Sequence, residues 1–187
     1  VAGGSAADLI VGAPGSMAGP GTTYLFNDPL IDCIACTDEA DATSSFVGEA
    51  DGDMAGFAVA VVGDVNGDGQ GDIVIGAPGY DGGNGAAYLF TDGDLIDADL
   101  TIERAGVIYG TGLGTSVAAV GDVNGDEIDD FAIGAPGDLG AVALFLGGST
   151  GFELVRLNGD ADGTGSDIAP VPDLDGDGLS EVGVVCE

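Results

Sequence analysis

Short apolar runs recur along this chain, and three of them end at the same triplet. The segments Asp8–Gly15, Asp72–Gly79 and Asp130–Gly137 each consist of an acidic residue, three apolar residues and a closing Gly-Ala-Pro-Gly. β-Branched residues favour a pleated strand and proline cannot donate a hydrogen bond to a ladder, so each run predicts a buried β-strand that stops at its proline. The hydrophobic pattern therefore predicts an all-β fold.

Further strands flank these runs on both sides. Glycine-led apolar segments come before the acid-rich stretches and predict entering strands: Gly56–Asp64, Gly114–Asp122 and Gly165–Asp173. Third strands are predicted beyond the prolines, and weaker fourth strands follow two of them: Gly21–Phe26, Gly85–Phe90, Gly140–Phe145, Leu100–Glu103 and Leu154–Leu157. A full unit thus holds four short strands.

The unit repeats along the chain. The acids that open its second strands lie 64, 58 and 51 residues apart: Asp8, Asp72, Asp130 and Glu181. A period of this size with four short strands per unit is typical of antiparallel β-propeller blades. The predicted organisation is a partial blade, two complete blades and a second partial blade: 1–47, 48–105, 106–160 and 161–187.

An acid-rich loop joins the first two strands in three units: Asp64–Asp72, Asp122–Asp130 and Asp173–Glu181. Side-chain oxygens stand at loop positions 1, 3, 5 and 9, a backbone carbonyl is available at position 7, and Ca²⁺ takes about six to eight oxygen ligands. Position 12 is apolar in every loop, whereas an EF-hand has a bidentate Glu there. The spacing predicts calcium loops that lie between strands, and it excludes the EF-hand and dockerin types.

On these motifs the chain resembles the FG-GAP repeat family, which forms the blades of the integrin α-subunit head and occurs in many bacterial secreted proteins; it looks like the bacterial secreted type. The resemblance implies a β-propeller with Ca²⁺ bound between the first and second strands of a blade, in three sites here. It carries ligand roles onto side chains and, at position 7, onto backbone carbonyls: Asp64, Asn66, Asp68, Gln70, Asp72; Asp122, Asn124, Asp126, Ile128, Asp130; Asp173, Asp175, Asp177, Leu179 and Glu181.

The sequence departs from the family pattern in three ways. The Phe-Gly pair that names the family keeps only its glycine, so the core contact of the Phe must be made differently: Ala55-Gly56, Leu113-Gly114 and Thr164-Gly165. Glu127 replaces the glycine at position 6 of the second loop, which we expect to be the weakest site. In the last unit, 185–187 has the sequence Val-Cys-Glu in place of Gly-Ala-Pro.

The net charge of the chain limits its possible partners. The chain has 33 acidic residues against two basic ones, for a formal net charge of −31. Such a charge repels nucleic acid and anionic membranes. Acids outside the loops, such as Asp53, are expected to be solvated loop charges. Because no apolar stretch approaches the roughly 18 residues of a membrane span, and no signal peptide is evident, we interpret the chain as a mature or excised piece of an extracellular protein, secreted or at the cell surface.

The three cysteines are compatible with that compartment. Cys33 and Cys36 form a C-x-x-C pair without a neighbouring βα pattern, so a local disulfide or inert loop thiols are favoured over a redox motif. Cys186 is left over and has no evident partner in the sequence.

Catalysis has little support in the sequence, because the chain has no His and no Lys and lacks a phosphate-binding glycine loop. We expect a non-enzymatic protein. Its favoured function is adhesion or recognition of an extracellular protein or glycan, with structural calcium. The alternative is a self-assembling structural subunit of a filament or array: the ring is incomplete, and copies could complete each other's broken blades by strand addition.

Overall fold

A computed structural model describes residues 8–15, 19–27, 41–103, 110–159 and 163–186. These residues form thirteen β-strands and one short helical turn, α1 at Tyr80–Gly83. The strands are β1 (Leu9–Ala13), β2 (Thr22–Phe26), β3 (Ser44–Val47), β4 (Ala58–Gly63), β5 (Asp72–Ala77), β6 (Ala86–Phe90), β7 (Leu100–Glu103), β8 (Ser116–Gly121), β9 (Asp130–Ala135), β10 (Ala141–Leu146), β11 (Glu153–Asn158), β12 (Ile168–Val171) and β13 (Glu181–Val184).

Every strand pairs antiparallel with its neighbour in sequence, which gives four sheets. The first sheet holds β1–β3, the second β4–β7, the third β8–β11 and the fourth β12–β13. The all-β prediction with four-stranded antiparallel blades is confirmed, and over the described residues the sheets do not close into a ring. Each sheet falls within one of the four predicted units, whose boundaries remain predictions. No helix formed by the described part of the chain is long and apolar enough to cross a membrane.

The same irregularity interrupts both entering strands of the complete blades. The pairing of β4 with β5 passes from Val61 opposite Ile73 to Gly63 opposite Asp72, with a register shift between them. In the third sheet the equivalent shift lies between Ala119 and Gly121. A β-bulge bends its strand and re-aims the residues beside it. Here the bulge directs the chain into the acid-rich loop.

The first and second sheets bury a shared aromatic core. Leu25 and Phe46 of the first sheet pack with Ile75, Tyr88 and Phe90 of the second. The ring of Phe46 lies with its centroid 4.6 Å from that of Tyr88 and 5.2 Å from that of Phe90. Aromatic residues at these spacings supply much of the apolar area buried between two blades.

Two further cores join the remaining sheets. Val74 of the second sheet packs with Phe131 and Ile133 of the third, while smaller residues such as Ala118 pack with Ile168 between the third and fourth sheets. Strands β5 and β9 are consequently buried at all six positions. A strand that is covered on both faces is apolar throughout rather than alternating, as the sequence of these two strands is.

Glycines make the closest contacts between blades. A Cβ placed on the glycine that ends the apolar run would collide with the carbonyl oxygen of the glycine that starts the next blade: Gly12 with Gly56, Gly76 with Gly114, and Gly134 with Gly165. The second member of each pair has a φ between +85° and +89°, which favours glycine. Val185 holds the corresponding position in the last unit, where it is 43% exposed.

The residues that replace the family's Phe are buried as well. Ala55 and Leu113 are fully buried in the cores described above, and Thr164 is 8% exposed. Ala55 and Leu113 thus make a core contact with side chains smaller than Phe. One expectation is wrong: Asp53 is not a solvated charge but is 4% exposed, and its Oδ2 accepts a hydrogen bond of 2.7 Å from the Ala50 N–H.

Candidate metal centre

The three acid-rich loops occupy equivalent places in the fold. Asp64–Asp72 joins β4 to β5, Asp122–Asp130 joins β8 to β9, and Asp173–Glu181 joins β12 to β13. All residues predicted as ligands lie in described parts of the chain. The loops are called the first, second and third loop below.

The first acid of each loop holds the turn together. In the first loop, Asp64 Oδ1 accepts from the backbone N–H of Gly67 at 2.7 Å, and Oδ2 accepts from Gly69 at 2.7 Å. The matching acids of the other loops accept from the same loop positions: Asp122 from Gly125 and Glu127, and Asp173 from Gly176 and Gly178. Asp side chains commonly organise turns in this way. The loops therefore share one backbone path.

Positions 3, 5 and 7 form the middle of the loop. In the first loop the Asn66 side-chain amide donates to Asp68 Oδ2 at 3.1 Å, and the Gln70 N–H donates to Asp68 Oδ1 at 2.8 Å. The hydrogen bond from Gln70 lowers the pKa of Asp68 below its usual value. Ile128 and Leu179 donate their N–H groups in the same manner, to position 5 of their own loops. The ligand role of the position 7 carbonyls stays a prediction.

The closing carboxylate of the first loop is buried without full compensation. Asp72 is 0% exposed, and its Oδ2 accepts from the Val65 N–H at 2.9 Å. Its Oδ1 is buried and has no hydrogen-bond partner among the described residues. Burial raises the pKa of Asp72 to about 6, and the nearby negative charges of Asp68 and Asp64 add to the rise. A buried carboxylate oxygen is costly without a partner, and a hard cation between these acids would supply one.

The closing acids of the other loops differ in how they are held. Asp130 is also fully buried, but its two oxygens accept from Val123 at 2.8 Å and Gly147 at 2.7 Å. Burial raises its pKa as well. Glu181 is half-buried and accepts from Leu174 at 2.9 Å. Because both oxygens of Asp130 already accept hydrogen bonds, Asp130 needs a further partner less than Asp72 does.

At the predicted ligand positions, the third loop has the most carboxylates. Each of its four acids offers one carboxylate oxygen, and these oxygens all lie within 4.8 Å of one another: Asp173, Asp175, Asp177 and Glu181. The spacing and the donor type suit a single hard cation. In the second loop, Glu127 adopts a φ of +69° where Gly69 and Gly178 have +87° and +92°. A non-glycine residue in this region is strained, which agrees with the expectation that the second loop is the weakest.

Contacts between loops were missed from the sequence. Asp129 Oδ2 accepts from the Asp64 N–H at 3.0 Å, and the Asp129 N–H donates to the Asp64 carbonyl at 3.2 Å. The one sequence signal is the Asp129-Asp130 dipeptide, because the other loops have Gly71 or Ser180 at this position. Alignment of the repeats shows that difference but cannot show which blade the side chain contacts.

The cysteine predictions are tested only at one position. Cys33 and Cys36 lie outside the described residues. Cys186 is an exposed free thiol. It plays no part in the loops.

The sequence of this chain is similar to a family of repeats and to several known proteins. The FG-GAP repeat model matches residues 55–90 and 113–145. Integrin alpha-PS5 of Drosophila melanogaster is 32% identical over 92% of this chain and 18% of its own length. Integrin alpha-V of Gallus gallus is 30% identical over 97% of this chain and 20% of its own length. The phosphatidylinositol-glycan-specific phospholipase D of Bos taurus is 39% identical over 47% of this chain and 13% of its own length. The chain therefore spans at most about a fifth of these relatives.

Proposed function

We propose that this chain, which contains FG-GAP repeats and is similar to integrin alpha subunits, is an extracellular β-propeller segment that serves adhesion or recognition, with Ca²⁺ bound in its loops as a structural ion. The observation that carries the calcium assignment is the closing acid of the first loop. Burial of Asp72 raises its pKa, two further acids of the loop add to the rise, and one of its oxygens has no partner among the described residues. A cation in the loop would remove that cost.

The proposed ligands follow from the common geometry of the loops. Positions 1, 3, 5 and 9 would bind through side chains and position 7 through its carbonyl, as expected from the sequence. A bound cation supplies positive charge that lets three or four carboxylates share one small volume. The chain's own residues set the turn, since Asp64 and its counterparts already accept hydrogen bonds from the loop backbone. Affinities on the order of 10⁻⁴ to 10⁻³ M are sufficient for extracellular modules.

The adhesion role is supported by the kind of relatives that the chain has. Two integrin alpha chains match more than nine-tenths of it. The partner that we propose is an extracellular protein or glycan, and neither nucleic acid nor a membrane interior suits a net charge of −31. Although a phospholipase D is also similar, its match covers only 47% of this chain. With neither His nor Lys in the chain, we propose a non-enzymatic role.

Direct calcium binding tests the proposal. Metal-stripped protein titrated with CaCl₂ in a calorimeter should take up three ions. The variants Asp64→Asn, Asp122→Asn and Asp173→Asn should each lose one of them. Asp97→Asn is the matched control, since Asp97 is an exposed acid outside the loops. Uptake that none of the three loop variants reduces would rule out the assignment.

A second candidate function is self-assembly, and one observation favours it. The first sheet exposes apolar side chains at the end of the molecule, with Leu9 49% and Val47 53% exposed. Among the described strands, β1 pairs only with β2, and β12 pairs only with β13. Residues 168–171 of one copy could therefore add beside residues 9–11 of the next. A light-scattering concentration series in CaCl₂ decides the matter: large regular particles support assembly, and monomers at every concentration refute it.

A further inference from the structure

The first and second loops are joined across the boundary between two blades by backbone and side-chain hydrogen bonds. Asp64, which begins the first loop, exchanges two of these bonds with Asp129, which precedes the last residue of the second loop. The Asp64 N–H donates to Asp129 Oδ2 at 3.0 Å, and the Asp129 N–H donates to the Asp64 carbonyl at 3.2 Å. The carboxylate of Asp129 also lies against Gly63, where a Cβ would collide with it. Gly63 also has a φ of +83°, so a substitution there is strained even if the Asp129 side chain moves.

A second connection links the two closing acids. The Val65 N–H donates to Asp72 Oδ2 at 2.9 Å, and the Val65 carbonyl accepts from the Gly148 N–H at 3.0 Å. Gly147, the neighbour of Gly148, donates its N–H to Asp130 Oδ1 at 2.7 Å. Val65 in one blade and residues 147–148 in the other thus each hydrogen-bond to the closing acid of their own loop, and the two segments hydrogen-bond to each other.

Among the described residues, the boundary between the second and third loops lacks the contact that Asp129 makes. Ser180 replaces Asp129 at the equivalent position, and its hydroxyl lies against Gly121. Within the described part of the chain, Ser180 makes no hydrogen bond to Asp122.

We propose that cation binding in the first and second loops is cooperative, with Asp129 as the positioning residue that couples them, and that the third loop binds independently. This inference rests on the proposed function. A cation that fixes Asp64 and Asp72 also fixes the backbone at 64–65, and with it Asp129 and the 147–148 segment that hold the second loop. The first cation to bind orders this shared backbone. The second cation then binds with a smaller loss of conformational entropy and therefore more favourably. By thermodynamic linkage each loop raises the affinity of the other by the same factor.

The test measures the calcium affinity of the second loop in the full chain. The amide signal of Glu127 in ¹⁵N-resolved NMR reports this loop, because its N–H hydrogen-bonds to Asp122 Oδ2. Asp68→Ala, which disables the first loop, should weaken calcium binding in the second loop about fivefold or more. Asp177→Ala disables the third loop at the same loop position and should leave that affinity unchanged. Equal effects of the two variants would overturn the proposal.

Two substitutions at Asp129 separate positioning from charge. Asp129→Ser copies the residue of the third loop and should abolish the effect of Asp68→Ala on the second loop. Asp129→Asn keeps an oxygen that accepts the Asp64 N–H, so coupling should survive. Loss of coupling in both variants would mean that charge alone carries it, contrary to the proposal. If the loops bind calcium but independently in the native chain, only this inference fails; if Glu127 and the other loop amides never respond to CaCl₂, the proposed function fails with it.

Discussion

Strands β1 and β5 have nearly the same sequence and very different surroundings. β1 alternates between exposed and half-buried residues, whereas β5 is buried at every position. β5 has a paired strand on each side and a sheet against each face. Among the described strands, β1 pairs with β2 alone and has a packed sheet on one face. In this fold a strand is therefore buried by the neighbouring blades and not by its own apolar residues.

The largest expected effect separates two equivalent positions of these strands. Ile73 is 0% exposed and Leu9 is 49% exposed. Ile73→Ala should lower the free energy of unfolding by about 2–5 kcal/mol because it removes buried methyl groups and leaves a cavity. Leu9→Ala should cost roughly 0.5 kcal/mol or less, as expected for a surface change. Urea unfolding of both variants measures the difference. Equal losses would show that the outer face of the first sheet is covered in solution.

A smaller effect is expected at the glycine contact between blades. Ala in place of Gly76 would put a Cβ into the carbonyl of Gly114, a backbone group that cannot rotate away. Gly76→Ala should therefore destabilise by about 1–3 kcal/mol. Gly19→Ala is the control, because Gly19 has open space around it and no positive φ. Thermal melting curves compare the two, and a neutral Gly76→Ala would disprove the close approach.

Sequence reasoning predicts the parts of this fold that depend on local pattern. The runs that end at Gly-Ala-Pro became β1, β5 and β9, and each acid-rich loop lies between two strands. Strand β3 was not predicted, since Ser44–Val47 opens with two serines and only Phe46 packs into a core. The turn α1 was also missed, as its residues have non-helical dihedrals at two positions.

Contacts between blades cannot be predicted from an alignment of the sequence repeats. The alignment gives the glycines that recur, but the collision of Gly76 with Gly114 depends on how two sheets are stacked. The same holds for Asp129, whose partner Asp64 lies 65 residues away in the sequence. Likewise, the sequence offers the acids of the first loop without showing that one oxygen of Asp72 is buried without a partner. Three-dimensional packing supplies that information.

The smallest effect concerns the second loop compared with its neighbours. Glu127 holds a φ of +69° at a position that is glycine in the other two loops. Glu127→Gly should relieve strain of about 1 kcal/mol and raise the calcium affinity of this loop. Glu127→Gln tests the cause, because Gln removes the charge but suits a positive φ no better than Glu does. A gain with Gln as large as that with Gly would assign the effect to charge, and no gain with Gly would refute the strain. Calorimetric titration with CaCl₂ resolves these outcomes.

Thermal unfolding of the intact chain, with CaCl₂ and after removal of calcium by a chelator at equal ionic strength, tests the central claim most directly. The loops bring carboxylates together whose mutual repulsion opposes folding, so a cation that binds only the folded loops stabilises them. Each site should add about 2.7 kcal/mol at a free calcium concentration 100 times its Kd. The account predicts a clearly higher Tm in calcium and increased susceptibility to protease in the chelator. An identical Tm under both conditions would contradict structural calcium binding in these blades.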